Sequence, residues 1–67
     1  MNLAEALQAE ITRVRDVVMP AYIEIGQAGT FALIFMRKDL DAAVKALAEG
    51  DAIECMRSLA TLKEHHT

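Results

Sequence analysis

Apolar residues recur along the first third of the chain at the spacing of a helix with one buried face. Seven of them follow one another in steps of three and four residues: Ala4, Leu7, Ile11, Val14, Val18, Ala21 and Ile25. Because an α-helix completes a turn every 3.6 residues, these positions share one side. Asn2 precedes the set and is a favourable N-cap, with Glu5 three positions later. The pattern predicts a helix over residues 3–25.

Pro20 lies inside this first predicted helix. Its ring displaces the carbonyl group four residues earlier, and it donates no backbone hydrogen bond. Apolar residues continue after it, at Tyr22 and Ile23, so we expect the helix to kink at Pro20 and to continue. Gly26 is the expected end, because glycine readily adopts the left-handed conformation that follows many helices.

Two further helices are predicted, over residues 30–49 and 51–64. Thr30 and Asp51 are the expected N-caps, and Gly50 separates the two helices. The second half of the middle helix has one apolar stripe, formed by Leu40, Ala43, Val44 and Leu47. The last helix has an inward face formed by Ala52, Cys55 or Met56, Leu59 and Leu62. The predicted fold is all-α: a single domain over residues 1–67, built as a short bundle of three helices.

The size of the chain predicts self-association. A chain of 67 residues buries only about 60% of its unfolded surface, which leaves its stability marginal. Its one cysteine excludes an internal disulfide, and it has no pair of CxxC motifs for zinc. We therefore expect a two-fold homodimer, the commonest soluble oligomer. Its contact is expected on the first helix, on residues 31–36, or on both, through Leu7, Ile11, Val14, Val18, Leu33 and Ile34.

Residues 31–36, at the start of the middle helix, are apolar on every side. A helix of this kind must be covered all round, and two other short helices can hardly cover both of its sides. Aromatic residues, methionine and arginine are enriched at protein interfaces. We therefore predict a protein-binding surface formed by Tyr22, Phe31, Phe35, Met36 and Arg37.

The charge of the chain argues against a general affinity for nucleic acid. The net charge is −3 and the isoelectric point is near 5.2, whereas phosphate binding needs a basic face. Two small basic groups exist, Arg13 with Arg15 and Arg37 with Lys38. The alternative function, a small DNA-associated regulator, requires these groups to line up across a dimer. We see neither an export signal nor an apolar run near 18 residues, so we expect a cytoplasmic protein outside the membrane.

Candidate catalytic and metal-binding residues are few. Cys55, His65 and His66 have suitable atoms for a metal, but the two histidines are adjacent and lie in a tail, residues 64–67, that we expect to fray. Asp39 and Asp41 are two positions apart, so they lie on different faces of a helix. No nucleophile, base and orienting group occur together. We predict a protein that is not an enzyme and that has no cofactor and no metal.

The first half of the chain resembles small helical proteins encoded by transposable, Mu-like phages and prophages. The resemblance rests on residues 10–16, 19–22, 25–26, 31–32 and 36–37 and on Gly29. Early proteins of such phages include inhibitors of host regulators. The resemblance implies a stoichiometric inhibitor of a host protein, such as a LuxR-type quorum-sensing transcription regulator or a pilus assembly ATPase. The alternatives are the DNA-associated regulator and a structural adaptor subunit.

Overall fold

A computed structural model describes residues 2–67, and these residues contain helices and turns but no β-strand. In chain order the elements are α1 (Leu3–Arg13), a π-helical turn (Val14–Val18), α2 (Met19–Glu24), a 3-10 turn (Gly26–Gly29), α3 (Thr30–Glu49) and α4 (Ala52–Lys63). Since α1, the π-helical turn and α2 follow one another without a break, the chain has three helical segments. The predicted all-α bundle of three helices is confirmed.

Local hydrogen bonds begin and end these helices. The Asn2 side-chain oxygen accepts from the Glu5 N–H at 2.8 Å, and the Asp51 carboxylate accepts from the Glu54 N–H at 3.1 Å. Gly50 ends α3 in the left-handed conformation, with φ of 66°. The prediction that Thr30 caps α3 is wrong. Thr30 is already helical, because the preceding 3-10 turn runs directly into α3.

The π-helical turn gives room to Pro20. A proline ring collides with the carbonyl group four residues back, which here belongs to Asp16. In Val14–Val18 the helix widens, and the Met19 N–H donates to the Val14 carbonyl, five residues earlier. A π-helical turn of this kind inserts one residue into an α-helix. The distortion predicted at Pro20 is therefore taken up in the turn before it.

All three helical segments contribute to one hydrophobic core. The buried apolar residues are Leu7, Ile11, Val14, Val18, Met36, Leu40, Ala43, Ala46, Cys55 and Leu62. Helix α4 packs against both α1 and α3, and α2 packs against α3. Ala43 and Ala46 are the small side chains that α3 contributes to this core.

Helices α3 and α4 differ in length, and this difference decides which surface stays open. Helix α3 has 20 residues and α4 has 12, so their lengths are about 30 Å and 18 Å at 1.5 Å per residue. The tight turn at Gly50 sends α4 back along the C-terminal part of α3. At these lengths the first two turns of α3 extend beyond the end of α4, and α2 packs against α3.

The fold predicts that Gly29→Ala destabilises the protein. A methyl group at this position would collide with the Tyr22 carbonyl oxygen and lie 3.0 Å from Cγ1 of Ile25. Overpacking against backbone costs about 1–3 kcal/mol, and the denaturation midpoint measured by circular dichroism should fall accordingly. Gln27→Ala, at an exposed position of the same turn, is the control and should change the midpoint little. Equal midpoints for Gly29→Ala and the wild type would contradict the close approach of the 3-10 turn to the Tyr22 backbone.

Candidate functional site

The predicted protein-binding residues lie in different environments. Phe31, Phe35 and Arg37 are exposed, and Tyr22 is half-buried. Met36 is only 1% exposed and belongs to the core, so its placement on a partner surface is corrected. It faces inward because it lies four residues before Leu40, on the same side of α3.

The residues predicted for the dimer contact also differ in their exposure. Leu7, Ile11, Val14 and Val18 are buried in the core of the chain itself. In this structure the first-helix seam is therefore covered within the chain itself. Leu33 is half-buried and Ile34 is exposed. The homodimer itself stays a prediction.

Three large apolar side chains are exposed together on the first two turns of α3. Phe31 is 77% exposed, and Ile34 and Phe35 are each 58% exposed. Their spacing of three and four residues places them next to one another on the helix surface. We call this set the α3 apolar patch. It lies where α4 is too short to reach, and Ala32, Leu33 and Met36 on the other side of the same turns pack against the core.

A groove runs between α2 and α3, beside this patch. At one end it is lined by Met19, Ile23, Leu33, Ile34 and Arg37, with Thr30 at its edge. It continues towards α1, where its lining consists of Ile11, Arg15, Leu40, Asp41 and Val44 together with Met19, Ile23 and Arg37. Ile23 and Val44 are exposed along it. The α2–α3 groove therefore has an apolar lining with three charged groups, Arg15, Arg37 and Asp41.

The two basic groups of the sequence are not equivalent in the structure. Arg13 pairs with Glu10 and donates a hydrogen bond to the Leu62 carbonyl at 3.0 Å, which ties α1 to the end of α4. Arg15 pairs with Asp16 at 2.8 Å.

The hydrogen bonds from Arg15 lower the pKa of the Asp16 carboxyl below its ordinary value. Over residues 2–67, Arg37 and Lys38 form no ion pair. Of the two basic groups, the one on α3 is therefore the one whose cations form no ion pair within the described residues.

The C-terminal tail is held in place, and the prediction that residues 64–67 fray is corrected. The His65 Nε2 atom lies 2.7 Å from an Asp39 carboxylate oxygen, and both residues are half-buried. The Tyr22 hydroxyl donates to the His66 carbonyl at 3.0 Å. Sequence reasoning missed this contact because the paired residues are 26 and 44 positions apart, and no local pattern links them.

The described residues contain no group of three or more side chains arranged to bind a metal ion. Cys55 is buried in the core, and His65 is hydrogen-bonded to Asp39. Among residues 2–67 we also find no helix with the length and apolar character needed to cross a membrane.

Comparison with protein-family models, with curated proteins and with solved structures gives no match to this chain. The fold and the exposed surfaces define its class, a small helical bundle with an uncovered apolar face.

The contacts of the tail predict different results for the two neighbouring histidines. His65→Ala removes the hydrogen bond to Asp39, and hydrogen bonds to charged groups contribute on the order of 1–3 kcal/mol. We expect faster amide hydrogen exchange over the tail and a lower stability for this variant, measured by NMR and by chemical denaturation. His66→Ala is the control, because the structure uses only the backbone carbonyl of His66. If the two variants exchange at the same rate, the contact with Asp39 does not hold the tail.

Proposed function

We propose that this protein is a stoichiometric protein-binding inhibitor that acts through the α3 apolar patch. The observation that carries the proposal is the exposure of Phe31, Ile34 and Phe35 together. Exposed apolar residues that occur singly are ordinary, whereas a contiguous set on a small protein is typical of an interaction surface.

The free energy available from burying the α3 apolar patch in a complex supports this function. Complete burial of one Ile or Phe side chain contributes about 1.5–3 kcal/mol, so three contribute on the order of 5–9 kcal/mol. Part of each side chain is already covered, and association itself costs several kcal/mol. A micromolar complex needs about 8 kcal/mol. The patch therefore supplies the centre of an interface, and neighbouring polar contacts must supply the remainder.

The partner that we propose is a host protein, and the resemblance to Mu-like phage proteins supports this choice. Candidates of this class are a LuxR-type quorum-sensing transcription regulator and a pilus assembly ATPase. An apolar helix face occupying a groove on such a protein inhibits it by occupancy, without turnover or a cofactor. The ion pairs of Arg13 and Arg15 with Glu10 and Asp16 favour a protein partner over DNA, since they offset the charge of one of the two basic groups.

The direct experiment is a titration of the purified protein into a purified LuxR-type regulator bound to fluorescent operator DNA. Inhibition should release the DNA, with the fluorescence anisotropy falling to an end point at an integral ratio of the two proteins. The same protein should leave the anisotropy of the DNA alone unchanged. A parallel titration measures ATP hydrolysis by the pilus assembly ATPase. If neither target responds, the proposed target class is wrong.

The proposal predicts that Phe35→Asp weakens inhibition at least tenfold. The substitution removes an aromatic contact and places a charge in an apolar interface, which costs more than the 1.4 kcal/mol that corresponds to a factor of ten. Phe35 is exposed, so the helix content in circular dichroism should not change. Ile53→Asp is the matched control, because Ile53 is 62% exposed on α4 and introduces the same charge away from the patch.

Equal inhibition by Phe35→Asp and Ile53→Asp would show that the α3 apolar patch is not the binding surface. Loss of inhibition in Phe35→Asp alone would support the proposal.

A further inference from the structure

Four exposed residues on α3 keep the same spacing when the helix is reversed, and reversal exchanges their two opposite charges. In chain order they are Ile34, Arg37, Asp41 and Val44, separated by steps of three, four and three residues. Their chemical characters are apolar, basic, acidic and apolar. Alternating steps of three and four residues place side chains along one seam of a helix. All four line the α2–α3 groove. We call them the α3 stripe.

The charges of the stripe are not satisfied within the chain. Arg37 and Asp41 are one turn apart, yet the described residues include no ion pair between them. For such pairs on a helix, the acid is better placed before the base, and here the order is reversed. Both groups are exposed and free to meet charges on another molecule.

A second copy of this chain satisfies the whole stripe. If two α3 helices pair antiparallel around a two-fold axis, Ile34 lies opposite Val44 of the second copy, and Arg37 lies opposite its Asp41. Both contacts occur twice, because a two-fold interface uses the same surface on each copy. A helix of another protein that carries charges of only one sign would fit the stripe less well. It would meet a like charge at either Arg37 or Asp41, and like charges in contact are unfavourable.

We propose that this protein forms a two-fold homodimer through antiparallel pairing of the α3 stripe. The apolar ends of the stripe pack against each other, and the two Arg37–Asp41 pairs fix the register. Ile23, which is exposed beside the stripe in the α2–α3 groove, is covered by the second copy. This contact differs from the first-helix seam, whose side chains are buried in the core of each chain.

The two single-charge variants test the pairing. In Arg37→Asp both stripe charges are negative, and in Asp41→Arg both are positive, so each variant alone should be monomeric in sedimentation equilibrium at concentrations where the wild type is dimeric. An equimolar mixture of the two variants should form a heterodimer, because every pair is then of opposite sign. The double variant Arg37→Asp with Asp41→Arg has the wild-type composition and should dimerise again.

Circular dichroism of each variant reports whether the fold is kept, which is expected because both positions are exposed. Three results would overturn the proposal: a wild type that stays monomeric up to millimolar concentration, single variants that dimerise as the wild type does, or a mixture of the two variants that stays monomeric. Phe35→Asp should remain dimeric. This variant therefore separates failure of the homodimer from failure of the proposed inhibition.

Discussion

The structure depends on how much of α3 the rest of a short chain can cover. A helix that is apolar on all sides over its first two turns needs neighbours on all sides. The chain provides α2 on one side, and α4 ends before it reaches these turns. The inner residues Leu33 and Met36 pack against the core, whereas Phe31, Ile34 and Phe35 do not. The open surface of the protein is thus a consequence of helix length.

Polar contacts hold the ends of the helices where the core is thin. Arg13 reaches across to the Leu62 carbonyl, so that one guanidinium joins α1 to the last turn of α4. The tail then continues along α3, where His65 meets Asp39. These contacts link elements that are far apart in sequence. A bundle with a small hydrophobic core depends on such links more than a bundle with a large core does. They also use Arg13 and His65 for structure and so remove both from the surface chemistry.

Features set by nearby residues could be predicted from the sequence, and features set by distant residues could not. The caps at Asn2 and Asp51 and the end of α3 at Gly50 involve partners within five positions, so their patterns were visible. The inward orientation of Met36 depends on how α3 is rotated against α1 and α4. A segment apolar on every side contains no periodicity that could show this rotation. The exposure of Phe31 and Phe35 could be predicted from chain length alone. The position of Ile23 and Val44 in one groove could not, because it depends on how α2 packs on α3.

The patch and the stripe lie on adjoining sides of α3 and share Ile34. At about 100° per residue, Phe35 lies roughly 200° around the helix from Arg37, far from the dimer seam. Pairing of two copies covers Ile34 but leaves Phe31 and Phe35 exposed on each copy. In the proposed dimer, the surface left for the proposed partner is therefore the aromatic pair, presented twice and related by a two-fold axis. Such an arrangement fits a partner that is itself two-fold symmetric, since both aromatic pairs can then engage together and the second contact is intramolecular.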